Sequence, residues 1–310
     1  MQHEPVMTRE VVAAFKSLPS DAVVVDATFG RGGHSRALLD LLGAGGRVIA
    51  MDWDEQAVSV GRSLALTDAR FEIHRAAFST LGDVLETALG SSNSVVDALL
   101  VDLGVSSPQL DDHTRGMSFM HDGPLDMRMD QRGASTAAEF VNSASEVELA
   151  DCFFMFGDER YSRRIAAAIV RARTETRIET TRQLAELVTA AHPRWPANQH
   201  PATRVFQALR IQVNAELQQL DALLKQLAHV LRVGGRAVFI SFHSGEDRRV
   251  KQAFRPELLD RDPRIARLPI APAGRPPLRA LGRAQRAADD EVTRNPRARS
   301  AVLRVVERVA

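Results

Sequence analysis

Five short runs of aliphatic and β-branched residues place the strongest constraint on how this chain folds. Each run ends in polar or glycine residues, which is typical of strands buried on both faces of a parallel sheet. The runs are Ala22–Ala27, Arg47–Asp52, Arg70–His74, Val96–Leu103 and Arg236–Phe242. Helical stretches, Ser35–Leu42 and Asp54–Leu66, follow the first two runs. Strands that alternate with helices in this way predict an α/β, doubly wound and mostly parallel sheet.

The interval between the fourth and fifth runs is too long for a single crossover connection. More than 130 residues separate Leu103 from Arg236, whereas loops in compact domains are usually short. Helical patterns at Glu139–Arg173 and Thr180–Ala191 fall inside this interval. We therefore predict an inserted all-helical subdomain at residues 110–205 that recognises the substrate, with residues 1–109 and 206–310 forming the sheet core.

Three further patterns concern the later part of the core. Thr203–Leu231 carries a helical stripe of Val and Leu residues that ends before two glycines, which predicts one long helix. Pro269–Arg286 is rich in Pro, Ala, Gly and Arg and predicts a mobile loop. Ser300–Val309 alternates between apolar and polar residues and predicts an edge strand.

Charge is unevenly distributed along the chain. The net charge of the 310 residues is only +1, but Arg255–Ala310 contains 13 Arg, no Lys and 7 acidic residues, a net of +6. A basic region of this kind is expected of a surface that contacts phosphates. The alternative is a general preference for arginine, because the whole chain has 37 Arg and 3 Lys. Charge alone favours neither interpretation.

Other compositional features exclude several classes of protein. The single cysteine allows neither an internal disulfide nor a Cys-based metal cluster, and the histidines lack metal-ligand spacing, so no metal is expected. Glu4 and Glu10 interrupt the start of the chain, which does not resemble a secretory signal. The apolar runs are too short to span a bilayer. We therefore expect a cytoplasmic protein without a membrane partner.

The segment Asp26–Ser35 carries the densest functional signal. Its sequence, Asp-Ala-Thr-Phe-Gly-Arg-Gly-Gly-His-Ser, follows the first strand and opens a helix, which is the context of a nucleotide-cofactor loop. Asp52 follows Gly30 by 22 residues, at the end of the second strand, where a carboxylate can accept hydrogen bonds from both ribose hydroxyls. Ser35 replaces the last glycine of a dinucleotide loop, and Asp26 suits a cationic ligand. These details favour S-adenosylmethionine over NAD.

Two residues beyond the loop extend this prediction. Phe78 follows the third strand, where an apolar side chain can cover an adenine, although an aromatic there is also common in a core. Asp102 ends the fourth strand and precedes a Gly/Ser/Pro loop. In open α/β sheets, ligands bind at the carboxyl ends of strands. A carboxylate at that edge is better explained by a ligand than by the core, where an unpaired charge is costly.

Taken together, these segments resemble the MraW family of bacterial ribosomal RNA small-subunit methyltransferases. The resemblance runs nearly end to end. Its blocks are His3–Met7, Asp26–Ser35, Leu100–Asp111, Arg115–Met120, Asp122–Asp130, His200–Arg204, Val213–Leu217, Ile240–Ser244 and Asn295–Ser300.

The resemblance implies a Rossmann-like class I methyltransferase core that is interrupted by a helical subdomain. It also implies methylation of the N4 of a cytidine in 16S rRNA, in the small subunit or a late assembly intermediate, with S-adenosyl-L-methionine as cofactor. Carried onto matching positions, the family's cofactor contacts fall on Gly32, Gly33, His34, Asp52, Phe78, Asp102 and Gln109.

The chemistry expected at cytidine N4 indicates further candidates. The amine is a weak nucleophile because its lone pair is delocalised into the ring, so the enzyme must align it with the methyl group and accept its hydrogen bonds. Candidate acceptors are Asp102, Ser106 and Ser107, together with carbonyls of residues 104–108. Candidate contacts to the RNA are Arg128, His243, Arg297 and Arg299.

Three alternatives remain at the level of the residues. An NAD-dependent oxidoreductase shares the core but conflicts with Ser35 and Asp26. A non-catalytic RNA-binding or assembly factor has no need of the glycine loop or of Asp52. A methyltransferase of proteins or small metabolites is compatible with the loop, and only the family resemblance argues against it.

Overall fold

A computed structural model of the protein describes residues 5–91, 95–133, 135–194, 200–254 and 277–310. Its strands are β1 Val23–Asp26, β2 Arg47–Asp52, β3 Phe71–Arg75, β4 Val96–Asp102, β5 Leu231–Ser241, β6 Leu278–Arg286 and β7 Val302–Arg308. Its α-helices are α1 Thr8–Phe15, α2 Gly33–Leu41, α3 Glu55–Ala65, α4 Leu81–Leu89, α5 Ser107–Asp111, α6 Ala137–Ser143, α7 Glu146–Gly157, α8 Ser162–Glu175, α9 Thr181–Ala191, α10 Ala202–Val213, α11 Glu216–Val230, α12 Ser244–Ala253 and α13 Asp289–Arg294.

The chain divides into two compact units. A sheet unit contains residues 1–104 and 217–310, and a helical unit contains residues 105–216. The sequence placed these divisions at 109/110 and 205/206, several residues away. Within the described ranges, none of the helices combines the length and the apolar character that crossing a bilayer requires.

The sheet unit confirms the predicted Rossmann-like, mostly parallel sheet. Its seven strands lie in the order β3-β2-β1-β4-β5-β7-β6. The pairs from β3 to β5 are parallel, whereas β7 is antiparallel to both of its neighbours. The order reverses between β1 and β4, and such a switch point opens a crevice at the carboxyl ends of the strands.

Continuous apolar runs form the central strands because both faces of the sheet are covered. In β4, the six residues from Val96 to Val101 are buried. One face packs against α1 and α2 through residues such as Phe15 and Leu38. The other packs against α4 and α11 through residues such as Leu85 and Leu223. This two-sided burial explains why the sequence pattern located these strands well.

The long helix predicted at Thr203–Leu231 is wrong, because the chain breaks between α10 and α11. Ala215 adopts a left-handed backbone conformation with φ 48°. Asn214, just before it, donates to the carbonyl of Met127 at 2.8 Å and accepts from the amide of Met129 at 2.8 Å. These tertiary hydrogen bonds stabilise the break between the two helices. They cannot be predicted from the spacing of apolar residues.

Two predictions for the later strands are also wrong. β7, predicted as an edge strand, lies between β5 and β6. The predicted mobile loop Pro269–Arg286 instead includes β6 from Leu278 onwards, while its residues 269–276 lie outside the described part of the chain. Most of β6 is exposed, so its sequence lacks the apolar run that marks the central strands.

The helical unit has a core of its own, in which α6 to α10 pack around residues such as Phe153, Ile165 and Leu209. The pattern Glu139–Arg173, predicted as helical, forms parts of three helices. Side chains of Thr136 and Ser145 cap the amino ends of α6 and α7, and caps of this type satisfy backbone N–H groups that have no partner within the helix. Asp158, with φ 51°, ends α7.

Candidate functional site

Three strands beside the switch point each end in an aspartate. Asp26 ends β1, Asp52 ends β2 and Asp102 ends β4. The strands are parallel neighbours, so the three carboxyl groups lie at one edge of the sheet. The loop from β1 to α2 leaves the same edge. The structure therefore brings together the predicted residues Gly32, Gly33, His34, Asp52 and Asp102.

Asp26 stabilises the loop between β1 and α2 through hydrogen bonds. It is fully buried, accepts a hydrogen bond from the Ser35 hydroxyl at 2.6 Å, and accepts the Thr28 amide at 3.3 Å. Burial raises the pKa of Asp26, which these hydrogen bonds oppose. The sequence predicts that Asp26 suits a cationic ligand, but in the structure its carboxylate accepts hydrogen bonds from groups of the loop itself.

We expect Ser35→Ala to destabilise the sheet unit, because the change leaves a buried carboxylate with one partner fewer. The expected loss of free energy of unfolding is about 1–3 kcal/mol. Urea unfolding followed by circular dichroism measures it. The control is Ser63→Ala, whose hydroxyl donates to the Ser59 carbonyl on the exposed side of α3. Equal urea midpoints for the two variants would contradict the bracing role of Ser35.

The loop glycines are required partly by the packing of the protein itself. Gly30 and Gly32 have left-handed φ angles of 56° and 74°. A Cβ on Gly32 would lie 2.5 Å from the Phe29 ring, and one on Gly33 would lie 2.5 Å from Cγ of Pro5. A side chain at either position would displace these neighbours. The loop therefore keeps its shape only with glycine at these positions.

Asp52 is held in a fixed orientation by the backbone. Its Oδ2 accepts the amide of Gly30 at 2.8 Å, and its Oδ1 accepts the amide of Asp54 at 2.9 Å. Burial raises the pKa of Asp52 to about 6, against the effect of these two hydrogen bonds. Each carboxylate oxygen retains a second lone pair, so Asp52 can still accept hydrogen bonds from a diol.

His34 and Asp102 form a polar pair next to Asp26. His34 Nε2 lies 3.5 Å from Asp102 Oδ2, and the imidazole is almost completely buried. Burial lowers the pKa of His34, but contact with Asp102 and the charges of Asp102, Asp26 and Glu291 outweigh it, so the pKa is raised. Asp102 Oδ1 is buried and has no hydrogen-bond partner among the described residues. A buried acceptor without a partner is suited to a donor on a ligand.

Three supporting residues were not identified from the sequence. The Thr28 hydroxyl accepts the Asp102 amide at 2.7 Å and so links the ends of β1 and β4. Glu291 accepts the Met7 amide at 2.7 Å across 284 residues of sequence, and no local pattern indicates such a contact. Asp54 caps α3 through the Gln56 amide. Of these three residues, only Asp54 could have been identified from the sequence, because an aspartate before an amphipathic stretch is typical of an N-cap.

Phe78 and His243 also follow strands of this edge. Phe78 is half-buried in the turn after β3 and packs partly against the core. His243 precedes α12, where its side chain accepts the Glu246 amide, while its Nε2 lies 3.1 Å from Glu246 Oε1. Glu246 is buried and accepts the Phe242 amide at 2.7 Å. The geometry shows His243 as a helix cap.

The remaining predicted residues have varied local surroundings. In the helical unit, Ser106 and Gln109 form the capping box of α5, where the Gln109 side chain accepts the Ser106 amide at 2.9 Å. Ser107 is buried in the same turn. Arg128 pairs with Asp126 through two contacts of 2.8 Å, so a phosphate would compete with that carboxylate. In the sheet unit, Arg297 and Arg299 are exposed in the turn before β7.

Comparison with known proteins finds a family model, curated relatives and solved structures that are similar to this chain. A family model described as the MraW methylase family matches residues 1–309. A Thiobacillus denitrificans protein named Ribosomal RNA small subunit methyltransferase H is 51% identical over 312 residues, covering 99% of this chain and 97% of its own. A protein of the same name from Azoarcus sp. is 50% identical over 311 residues, covering 99% and 97%. The solved structure of an rRNA methylase from Streptococcus thermophilus covers 100% of this chain and 99% of its own, with 12% identity and a TM-score of 0.43.

Proposed function

This chain belongs to the MraW methylase family, and on that premise we propose that it methylates the N4 of a cytidine in 16S rRNA. The proposed methyl donor is S-adenosyl-L-methionine, and the proposed target lies in the decoding region of the small ribosomal subunit. The names of the curated relatives support ribosomal RNA as the substrate. Membership in a methylase family argues against the NAD-dependent and the non-catalytic alternatives.

The observation that carries the proposal is the pair of acidic groups at the ends of β2 and β4. S-adenosylmethionine supplies an electrophilic methyl group on a sulfonium, in a molecule that also carries a ribose diol and an ammonium group. Asp52 retains lone pairs for the two hydroxyls. The buried, unpartnered Oδ1 of Asp102 is suited to a cationic donor. The residues present therefore fit the cofactor.

The proposed roles of the other cofactor residues follow from their positions. Gly32 and Gly33 shape the loop, His34 orients Asp102, and Phe78 offers an apolar surface after β3. Gln109, whose side chain caps α5, is proposed as a contact on the strength of the family resemblance alone.

The transfer requires that the N4 lone pair attack the methyl carbon in line with the departing sulfur. As the N–C bond forms and the carbon–sulfur bond breaks, N4 becomes more acidic, its hydrogen bonds to acceptors strengthen, and one of its two protons must pass to an acceptor or to water. We propose Asp102, Ser106 and Ser107 as candidate acceptors. Ser106 and Ser107 follow Asp102 closely in the chain and lie at the start of α5.

The sole cysteine distinguishes methylation of the amine from methylation of a ring carbon. Activation of a pyrimidine carbon needs a nucleophile that adds covalently to the ring, and cysteine is well suited to this task. Cys152 is buried, and burial raises its pKa to about 12. A thiol with this pKa remains protonated at neutral pH and is a poor nucleophile. An exocyclic nitrogen needs no such step, so this observation favours N4.

The four residues that the sequence proposes as RNA contacts differ in whether they already have partners within the protein. Arg299 is an exposed cation, and Arg297 is exposed but already interacts within the protein. Arg128 and His243 have intramolecular partners. We retain all four as proposed contacts to the small subunit or to a late assembly intermediate.

The test is an in vitro methylation assay. Purified protein is incubated with small ribosomal subunits and with S-adenosylmethionine that carries a labelled methyl group. We expect label in 16S rRNA, recovered after digestion as N4-methylcytidine by mass spectrometry. The control is Asp102→Ala, which should abolish labelling while the subunits remain unchanged. Label on C5 of cytidine would contradict the N4 assignment. Label on protein or on a small metabolite alone would contradict the RNA substrate.

A further inference from the structure

The register of the sheet places the end of β6 at the same edge as Asp102. Along one line across the strands, Asp102 pairs with Ile240, Ile240 with Leu303, and Leu303 with Gln285. β6 is antiparallel to β7 and therefore parallel to β5. Three strand spacings separate Asp102 from Gln285, a distance of about 14 Å. The carboxyl end of β6 thus lies at the same sheet edge as the proposed methyl-transfer centre, with β5 and β7 between them.

An irregularity in β6 alters the direction of its side chains just before that end. Leu281 pairs with Val305 and Gln285 with Leu303, so residues 282–284 stand opposite the single residue Arg304. Gly282 begins this bulge with a left-handed φ of 71° and open space around it. Bulges of this kind bend a strand and redirect side chains, and they are frequent next to active sites.

Three exposed arginines surround the bulged end of the strand. Arg283 lies in the bulge, and Arg286 ends β6, where it pairs with Val302 of β7. Arg299 lies three residues before Val302 in the preceding turn. None of these arginines has an acidic partner within ion-pair distance in the described part of the chain.

The opposite end of the same strand has different electrostatics. Arg279 is exposed as well, but its Nη2 lies 3.3 Å from Oε1 of Glu307. An edge strand is often protected from aggregation by charged residues, and that function requires no difference between its two ends. Among the described residues of β6, the arginines without an ion-pair partner are found only at the carboxyl end, which lies at the same sheet edge as Asp102. Protection of the edge does not explain this asymmetry.

We propose that Arg283, Arg286 and Arg299 form a phosphate-binding surface for the RNA strand that flanks the target nucleotide. The inference rests on the proposed RNA substrate. A guanidinium fits phosphate oxygens geometrically and keeps its charge at all relevant pH values. The end of β6 at Gln285 lies about 14 Å from Asp102, which exceeds the length of one nucleotide, so we expect these arginines to contact neighbouring phosphates and not the reacting base. Such contacts position the RNA without reading its sequence.

The test compares RNA affinity and its salt dependence in matched variants. The probe is a fluorescein-labelled single-stranded RNA oligonucleotide, and its fluorescence anisotropy reports binding. We expect Arg283→Ala with Arg286→Ala to weaken binding about tenfold at low salt. Loss of two phosphate contacts should also reduce the slope of log K against log salt by about 1.4, at about 0.7 for each contact. The affinity for S-adenosylhomocysteine in calorimetry should not change.

Two further variants serve as controls. Arg279→Ala, on the same strand but paired with Glu307, should leave the RNA affinity and the salt slope unchanged. Arg283→Lys with Arg286→Lys keeps both charges and should recover most of the affinity. It also shows that the bulge tolerates substitution.

Each contrary result has a distinct meaning. If the alanine variant binds RNA as tightly as the wild type and with the same salt slope, the inference is wrong, while the proposed function stands. If Arg279→Ala weakens binding equally, the effect reflects general charge and the proposed surface is wrong. If the wild type binds S-adenosylhomocysteine but no RNA, both the inference and the RNA half of the proposed function are wrong.

Discussion

Replacing Asp52 with alanine should lower the affinity for S-adenosylhomocysteine at least about a hundredfold. The change removes two charge-assisted hydrogen bonds to a ribose diol, and such bonds contribute about 1.5–3 kcal/mol each. A tenfold change in affinity corresponds to about 1.4 kcal/mol. Calorimetry measures the affinity directly. Asp21→Ala removes an exposed carboxylate before β1, at the opposite edge of the sheet, and should change nothing.

The same carboxylate should make cofactor affinity depend on pH. The pKa of Asp52 is about 6, and protonation converts one of its acceptor oxygens into a donor. The affinity of the wild type should therefore fall as the pH is lowered through about 6. The pKa of His34 is also raised, but His34 is still present in Asp52→Ala. Any pH dependence that survives in this variant belongs to other groups.

The pH dependence that Asp52 gives to the stability of the protein should have the opposite sign. The folded-state pKa of Asp52 lies above the ordinary value of 3.8, so the folded protein binds the proton more tightly than the unfolded chain. The contribution of Asp52 to stability is therefore present at pH values below 3.8 and is lost as the pH rises through about 6. If Asp52→Ala kept the affinity and pH profile of the wild type, the ribose assignment would be wrong.

Replacing Gly116 with alanine should destabilise the helical unit by more than about 3 kcal/mol. Gly116 has φ 66°, and a Cβ there would lie 2.0 Å from the carbonyl oxygen of Pro124. A left-handed conformation alone costs a residue with a Cβ about 1–2 kcal/mol, and the overlap with backbone adds to this cost. Next to it, the carbonyl of Arg115 accepts the Met127 amide at 2.9 Å, so the segment has little freedom to move aside.

The helical unit offers a matched control at Gly133. A Cβ at that position would have no atom within 4 Å, and Gly133 does not adopt a positive φ. Urea unfolding followed by far-ultraviolet circular dichroism should show a clear loss for Gly116→Ala and almost none for Gly133→Ala. Indistinguishable transitions for these variants would show that the segment relaxes around the added methyl group.

The central strands could be located from the sequence because burial on both faces requires a continuous run of apolar residues. The predicted run Arg47–Asp52 coincides with β2, and Val96–Leu103 extends one residue beyond β4. The positions of the glycine loop, between β1 and α2, and of Asp52, at the end of β2, were likewise predictable from their spacing. In each of these elements, burial or loop geometry constrains consecutive residues or residues at a fixed spacing. Such constraints are visible as a pattern in the sequence.

The errors concern elements whose structure depends on distant partners. The break between α10 and α11 depends on hydrogen bonds between the Asn214 side chain, which donates to the Met127 carbonyl and accepts from the Met129 amide, and that distant backbone. The exposed strand β6 has no apolar run to mark it. The backbone amide of Asp102 donates to the hydroxyl of Thr28, which lies 74 residues earlier in the chain. None of these contacts has a local signature, so pattern reasoning could not have supplied them.

The position of β7 between β5 and β6 has a consequence for the order of assembly. During synthesis β6 emerges before β7, so it cannot join the sheet until β7 has been inserted beside β5. Pairing between distant segments is slow, because the entropy of chain closure is lost before contacts compensate for it. The nascent protein therefore exposes an unpaired β5 edge for part of its synthesis, and an unpaired edge of this kind is prone to misassembly.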